Sequence, residues 1–474
     1  SYKEFIDIVV LGLQHIGFDV ATFLSHYFTP QERAGKEQRQ LFFSFLYDFR
    51  AILESYMGHH QEKDFFTQRI NQAKLSQQLT AQNLLKLAFF VHETLEERSL
   101  RTFADQLVDV NRLYDLHTNI IPSFQWVLVD EYQDVNPEQL RLLGHLDPQN
   151  LFCVGDPRQS IFAWRGSHPG IIYDFIDDDT TVVELTTNFR SASQIISFSN
   201  QLIAQTNKGK HSFSPLQAHT KDKGRVFVTS FTNEQEEAKS IIQQIKELAC
   251  QRNEIFILSR TNKGLEPYKQ LCEQENIAHI MRTDEKKDAF RTPRTDEITL
   301  STVHAIKGLE AEFVFVVGVN FKNYPCKSKD HRFVELLCTK NNYDQFEEER
   351  RLLYVACTRA KKELYVSYSL GLSPFITRRV LQESSSQQSS IDRGTQKKAI
   401  NTDNLITQRS ALRRWRFLEA QQRNIPPYLI FTDKTLESLL ELQPLSVDEL
   451  LEVSGLGKRK VEEFGQDILH IMYA

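Results

Sequence analysis

Apolar residues recur at helical spacing through the first quarter of the chain. Phe42, Phe45, Leu46 and Phe49 fall at i, i+3, i+4 and i+7, one stripe of an amphipathic helix. Leu84, Leu85, Leu87, Ala88 and Val91 continue in that style, followed by Phe103, Leu107 and Val110. Residues 1–118 are therefore expected to form a helical subdomain around a core of their own. From about residue 119 the texture changes. Short apolar runs at 126–129, 151–154, 182–185, 226–228, 255–258, 298–300, 313–319 and 365–367 alternate with helical stretches. Buried strands alternating with helices predict an α/β fold with parallel sheets. The acidic turn Asp177-Asp178-Asp179 interrupts the series and is expected to divide a domain at 119–180 from one at 181–382.

Residues 383–404 are rich in Ser, Gln, Asn and Thr with no apolar period, which reads as a flexible linker. Helical spacing returns in 405–474: Leu436, Leu439 and Leu440 form one short apolar face, and Val447, Leu450 and Leu451 another. Ser446 with Glu449 makes a capping-box start for the latter. No internal repeat is visible.

Bulk composition changes this picture little. The 474 residues suit roughly three domains at ~150 residues each. With 41% hydrophobic and 25% charged residues the chain has ordinary globular composition. A net charge of −5 excludes a bulk basic field, so any nucleic-acid contact must come from local patches. The six cysteines are scattered without a C-x-x-C pair, which argues against zinc or iron–sulfur ligation and suits a reducing, cytosolic compartment. No apolar stretch approaches the ~20 residues that span a bilayer, and no signal peptide is visible.

The candidate chemistry lies in five ordered segments. Val127-Leu128-Val129-Asp130-Glu131-Tyr132-Gln133-Asp134 places two carboxylates at the C-terminal end of a strand, the edge at which open α/β sheets bind ligands. Gly155-Asp156-Pro157-Arg158-Gln159-Ser160 follows the next strand and runs into Trp164-Arg165-Gly166. Thr187-Asn188-Phe189-Arg190-Ser191 and Thr302-Val303-His304-Ala305-Ile306-Lys307-Gly308-Leu309-Glu310 come third and fourth. The fifth, 349–360, ends a helical run with Thr358-Arg359-Ala360. An arginine held by a packed helix supplies fixed positive charge to a reacting phosphoryl group. Asp-Glu after a strand is also a common solvated turn, a lone tryptophan a common core residue, and a lone His a common hydrogen-bonded one. The specificity lies in the ensemble and its order.

Together these segments resemble motifs II to VI of the UvrD/Rep group of superfamily 1 DNA helicases, over about residues 100–370. The resemblance implies RecA-like, P-loop NTPase-type parallel sheets, the first of them incomplete. It implies an ATP-dependent 3′-to-5′ helicase or single-stranded DNA translocase of DNA repair or replication, cytoplasmic and nucleoid-associated. ATP and Mg²⁺ are the implied cofactors, and single-stranded DNA and its junctions with duplex the implied partners. Asp130 is assigned to the metal through water, Glu131 to the attacking water, and Arg190 and Arg359 to the γ-phosphate as finger residues. Gln159 is assigned to γ-phosphate sensing, Arg165 to the phosphates and Glu310 to the ribose. Trp164 is assigned to base stacking, and Thr302, His304 and Lys307 to DNA phosphates.

The tail carries a second resemblance. Leu412-Arg413-Arg414-Trp415-Arg416, Ile425-Pro426-Pro427-Tyr428, Asp433-Lys434-Thr435-Leu436 and Ser454-Gly455-Leu456-Gly457-Lys458 are similar to an HRDC domain, a small all-α module. Its glycine-rich turn is either a phosphate contact or simply a tight turn before a helix. The resemblance also implies protein partners for this module.

Two departures qualify the family picture. No Gly-x-x-x-x-Gly-Lys-Ser/Thr phosphate loop occurs among residues 1–474. Since residue 1 is Ser, an N-terminal truncation is the favoured explanation, and the polypeptide 1–474 alone is expected to be inactive. The rival reading is a non-catalytic DNA- or protein-binding adaptor derived from a helicase. Second, only about 281–296 is available for the large helical insertion that UvrD and Rep carry before the motif containing His304, so that subdomain is expected to be absent or vestigial.

Overall fold

The computed structural model describes residues 2–59, 64–163, 166–167, 169–176, 179–204, 214–283, 291–326, 331–338, 344–384, 402–423, 425–442, 444 and 447–472. Its elements open with α1 (Tyr2–His15), α2 (Val20–Tyr27), α3 (Pro30–Arg33), α4 (Gln38–His59), α5 (Phe65–Gln72), α6 (Leu75–Glu97) and α7 (Phe103–Leu116). There follow β1 (Trp126–Val129), α8 (Pro137–Leu146), β2 (Asn150–Cys153), α9 (Gly170–Asp174), β3 (Thr187–Asn188), α10 (Ser193–Ile203) and β4 (Gln217–Ala218). Next come β5 (Arg225–Phe231), α11 (Glu234–Glu247), β6 (Ile255–Ser259), α12 (Asn262–Gln274), β7 (His279–Arg282), β8 (Ile298–Thr302) and β9 (Ala311–Val316). Then α13 (Arg332–Leu337), α14 (Gln345–Cys357), β10 (Ala360–Ser369) and α15 (Arg378–Gln382) precede α16 (Thr402–Gln422), α17 (Asp433–Leu442), α18 (Val447–Leu450) and α19 (Lys458–Met472). Among the described residues no single helix is long and apolar enough to cross a membrane.

The chain divides into two compact units. The first comprises residues 1–155, 162–167 and 328–343. Its helices start where short polar side chains satisfy free backbone N–H groups: Asp19 caps α2, and Thr29 with Glu32 and Thr102 with Asp105 form reciprocal capping boxes. The helical stripes close on a core that includes Phe23, Phe45, Phe49, Leu84 and Leu87. Phe333 and Leu337 of α13 are buried in the same core, although they come from far downstream. Ser55 Oγ donates to Leu337 O at 2.8 Å, Arg69 to Cys338 O at 2.8 Å, and Arg332 pairs with Glu32 at 2.8 Å. The His331 ring stacks on Tyr27 with centroids 4.0 Å apart. Burial, reinforced by the neighbouring Arg332 charge, pushes the His331 imidazole down to about 4. The same unit carries a two-stranded parallel sheet, β1 beside β2, with Leu128 opposite Phe152.

The second unit comprises residues 156–161, 168–327 and 344–474. Its main sheet has six parallel strands in the order β5-β10-β9-β6-β8-β7. Every residue of β6 and β8 is buried, as befits strands covered on both faces. Ile241, Ile242 and Ile245 of α11 and Leu265 and Tyr268 of α12 cover Ile255, Ile257, Ile298 and Leu300. Helices α10 and α14 pack on each other and on β10. Helices α16 to α19 enclose their own core of Leu412, Phe431, Leu439, Val461 and Ile468. Gly455 is required there: at φ +94 a Cβ would lie 2.2 Å from Thr435 Oγ1.

Several expectations need correction. Residues 182–185 form no strand; Val182, Val183 and Leu185 are exposed, because an apolar run without a paired neighbour has no ladder to join. The strand lies just downstream instead, where β3 pairs in parallel with β4. β7, with polar His279 and Arg282, was not expected. The six-residue loop 156–161 and residues 168–180 group with the second unit rather than with the first sheet. Helix α16 begins at Thr402, inside the stretch read as linker, whose residues 385–401 lie outside the described residues. Asp177, Asp178 and Ser446 also lie outside them.

Candidate nucleotide and DNA site

Asp130 and Glu131 follow β1 on the first unit and are exposed at its C-terminal end. Glu131 adopts a left-handed backbone, φ 51, which costs a side-chain-bearing residue about 1–3 kcal/mol and persists only where the surroundings hold it. Three contacts hold it. Asp130 Oδ1 accepts Glu131 N at 2.8 Å, and Tyr132 N donates to Val154 O at 2.9 Å, fastening the turn to the end of β2. The buried Gln133 side chain donates to Glu131 Oε2 and so aims that carboxylate. A hard divalent cation takes oxygen ligands, usually one or two carboxylates with substrate phosphates and waters. The exposed carboxylate of Asp130 at a strand end fits that donor set.

The other predicted residues that are described lie in the second unit, and five of them converge. Residues 156–161 form a tight turn closed by Asp156, whose Oδ1 accepts Arg158 N at 3.0 Å and Arg158 Nε at 2.8 Å. Asp156 Oδ2 accepts Gln159 Nε2 at 2.9 Å, which orients the Gln159 amide. Its Oε1 then accepts Arg359 Nη2 at 3.1 Å, while its backbone O accepts Lys307 Nζ at 2.9 Å. Arg351 Nε donates to Ser160 O at 2.7 Å, binding the turn to α14 from below. Arg359, two residues beyond α14, is 2% exposed and also donates from Nε to Val355 O at 3.0 Å.

Beside this hub, Arg190 Nε meets Glu310 Oε2 at 2.5 Å and Lys361 Nζ meets Glu310 Oε1 at 2.6 Å. The Lys361 hydrogen bond, then Arg190, holds the Glu310 carboxyl below its ordinary range, with partial burial opposing. Asn188 Oδ1 accepts Arg190 N and Ser191 N, each at 2.9 Å, so the turn that carries Arg190 is preset. Gly308 at φ +85 turns the chain between Lys307 and Glu310.

The structure therefore brings together Gln159, Arg190, Lys307, Glu310 and Arg359. Thr302 is buried at the end of β8, with its hydroxyl accepting Ala305 N at 3.4 Å, and His304 is half-buried on the same loop. Trp164 and Arg165 lie outside the described residues. Sequence reasoning passed over Gln133, Arg351 and Lys361. The first two stand inside quoted motifs, where their polar ends in apolar company are a signal. Lys361 had none beyond its place two residues after Arg359.

Comparison with known proteins follows the same order along the chain. The UvrD/REP helicase N-terminal domain matches residues 26–180, the UvrD-like helicase C-terminal domain 183–292 and 266–371, and the HRDC domain 409–472. ATP-dependent DNA helicase UvrD2 of Mycobacterium tuberculosis is 26% identical over 518 residues, covering 80% of this chain and 73% of the relative. That alignment is longer than this chain of 474 residues, so the relative carries insertions that this chain lacks. A probable DNA helicase of Mycoplasma pneumoniae is 28% identical over 56% of this chain and 49% of its own length. DNA helicase IV of Escherichia coli is 28% identical over 54% of this chain and 36% of its own length. Two helicase domains matched in succession, the ordered motifs and the HRDC match after them place this chain in the UvrD/Rep-type DNA helicase family, with an HRDC domain C-terminal to its motor regions.

Proposed function

We propose that the chain is the DNA-gripping, finger-bearing part of an ATP-dependent 3′-to-5′ single-stranded DNA translocase that works in DNA repair or replication. The observation that carries this reading is the double engagement of Gln159. One residue touches Arg359, the finger candidate, through its side chain, and Lys307, the DNA-phosphate candidate, through its backbone. A change at the γ-phosphate that draws Arg359 away from Gln159 thereby alters the loop held by Lys307. That is the coupling a translocase needs between hydrolysis and grip.

In this reading Asp130 would hold Mg²⁺ through water, and the ion when bound would supply positive charge to the nucleotide phosphates. Glu131, aimed by Gln133, orients the attacking water and takes its proton. Arg190 and Arg359 receive the developing charge on the phosphoryl oxygens, Arg165 assists, and Glu310 accepts from the ribose hydroxyls. Trp164 stacks on a base, with Thr302, His304 and Lys307 lining the phosphate track.

The test is single-stranded DNA binding by residues 1–474, with Trp164→Ala beside it. Stacking contributes ~1–3 kcal/mol per base irrespective of sequence, so the variant should lose roughly 5- to 150-fold in affinity on oligonucleotides of differing composition. Absence of single-stranded DNA binding at low salt would overturn the reading.

A further inference from the structure

Helix α4 has two unlike faces. Leu41, Phe45, Leu46, Phe49, Ile52 and Leu53 are buried in the core of the first unit. The outward face carries Arg39, Phe43, Tyr47 and Arg50 at i, i+4, i+8 and i+11, within roughly 80° of arc at ~3.6 residues per turn. Phe43 is 40% exposed and Tyr47 71%. A single exposed ring is ordinary, but two rings one turn apart between two arginines form a pattern. The Arg39 guanidinium lies over the Phe43 ring, 5.8 Å from its centroid, and exposed Lys36 adds a third cation just before the helix. Charge along this face has one sign. From residue 38 to 53 the chain has a single carboxylate, Asp48, which is half-buried and accepts the Tyr27 hydroxyl at 3.0 Å. Glu37 and Glu54 stand at the two ends. In a chain with 62 acidic and 57 basic residues, this stretch is a local cationic patch.

We infer that the outward face of α4 is a second contact for single-stranded nucleic acid, one that uses none of the motif residues. Each ring stacks on a base and each cation takes a phosphate, a mode that tolerates any base sequence. The spacing selects a single strand. Phe43 and Tyr47 are four residues apart, ~6 Å along the axis, against ~3.4 Å between successive nucleotides of a duplex strand. Rings so placed meet bases that have come apart. A protein partner fits this face less well. A stable protein interface uses roughly 20–30 residues a side around an apolar centre. Here polar Gln40 and Ser44 lie beside the rings, and no aliphatic side chain stands among the exposed residues from 38 to 50.

The experiment photo-crosslinks residues 1–474 to an oligothymidylate carrying iodouracil and maps the attached peptide. Attachment at Phe43 or Tyr47 is expected. Phe43→Gln and Tyr47→Gln should each lower affinity by roughly fivefold or more, on oligothymidylate and oligoadenylate alike. Tyr47→Phe keeps the ring and should bind as the parent does. Arg39→Gln combined with Arg50→Gln should make the log–log dependence of affinity on salt shallower by about 1.4, at ~0.7 for each phosphate contact to a single strand. All four side chains are exposed, so thermal unfolding should not change. Attachment confined to other peptides would overturn the inference, as would affinity and salt slope indifferent to these substitutions. Equal losses on duplex DNA would overturn it too. Crosslinking at α4 should persist in Trp164→Ala, so this contact and the functional reading fail separately.

Discussion

The ion pair between Arg260 and Glu349 fixes the helix that leads to Arg359, and breaking it should be costly in a specific way. Arg260 Nε lies 3.0 and 2.9 Å from the two Glu349 oxygens and Nη2 lies 2.6 Å from Oε1. Glu349 is 3% exposed and Arg260 20%, and Cys326 N adds a hydrogen bond to Oε2 at 3.2 Å. Burial works against the Arg260 charge, but Glu349 more than offsets it and holds the guanidinium protonated. Removing one partner strands a largely buried charge, so Glu349→Leu should cost about 3–5 kcal/mol. Arg260→Met should fall in the same range or slightly below, because Cys326 still donates to the carboxylate. The double variant should cost less than either single one, since an apolar pair of similar volume carries no desolvation penalty. The assay is native-state hydrogen exchange of α14 and β6 amides in the four proteins, which isolates this region from the rest of a multidomain chain. A Glu349→Leu cost below about 1 kcal/mol, or a double variant as costly as the two singles summed, would refute the argument.

Three further outcomes are expected. Residues 1–474 alone should not hydrolyse ATP with single-stranded DNA and Mg²⁺ present, for want of the N–H cradle and lysine of a phosphate loop; DNA-stimulated turnover abolished by Glu131→Gln would contradict this. The first unit should lose stability as pH falls from about 6.5 toward 4, because unfolded His331 takes up a proton that the folded ring refuses. Allowing for partial solvent access, the loss from pH 7 to pH 5 should be about 1–2 kcal/mol, and His331→Leu should flatten the slope seen by hydrogen exchange in α2 and α4. Deleting residues 402–474 should leave exchange in the six-stranded sheet unchanged, since Leu412, Phe431 and their neighbours form a separate core; melting of that sheet would show the tail to be integral.

Hydrophobic pattern located β6, β8, β9 and β10 because each holds a short apolar stretch that is buried in the sheet: residues 255–258 in β6, Ile298 and Leu300 in β8, 314–316 in β9 and 364–366 in β10. It failed at 182–185, where equally apolar residues stay exposed: a run of valines states a preference for burial, not the presence of a neighbour. It missed β7, which alternates buried and half-buried positions and includes His279 and Arg282. The site was visible as motifs but not as an assembly. Gln159 meets Lys307 across 148 positions and Arg359 across 200, and nothing local in the sequence encodes either meeting. Lys361 was missed for a related reason. Its significance comes from Glu310, on the neighbouring β9 side of the sheet, rather than from its own surroundings in the chain.

The burial of α13 in the helical core bears on how this protein can be cut, shuffled and inherited. Phe333 and Leu337 fill space among residues contributed from 8 to 95, so the first unit is not a contiguous stretch of the sequence. A fragment stopping at residue 155 has a hole where those two side chains belong, and a continuous fragment starting at residue 156 exposes them. Recombination between relatives faces the same constraint. A crossover anywhere between α5 and α13 pairs one parent's Tyr27, Glu32, Ser55 and Arg69 with the other's His331, Arg332 and Leu337. The partners of α13 should therefore vary together among descendants of this chain, across some three hundred positions, more tightly than residues adjacent in the sequence do.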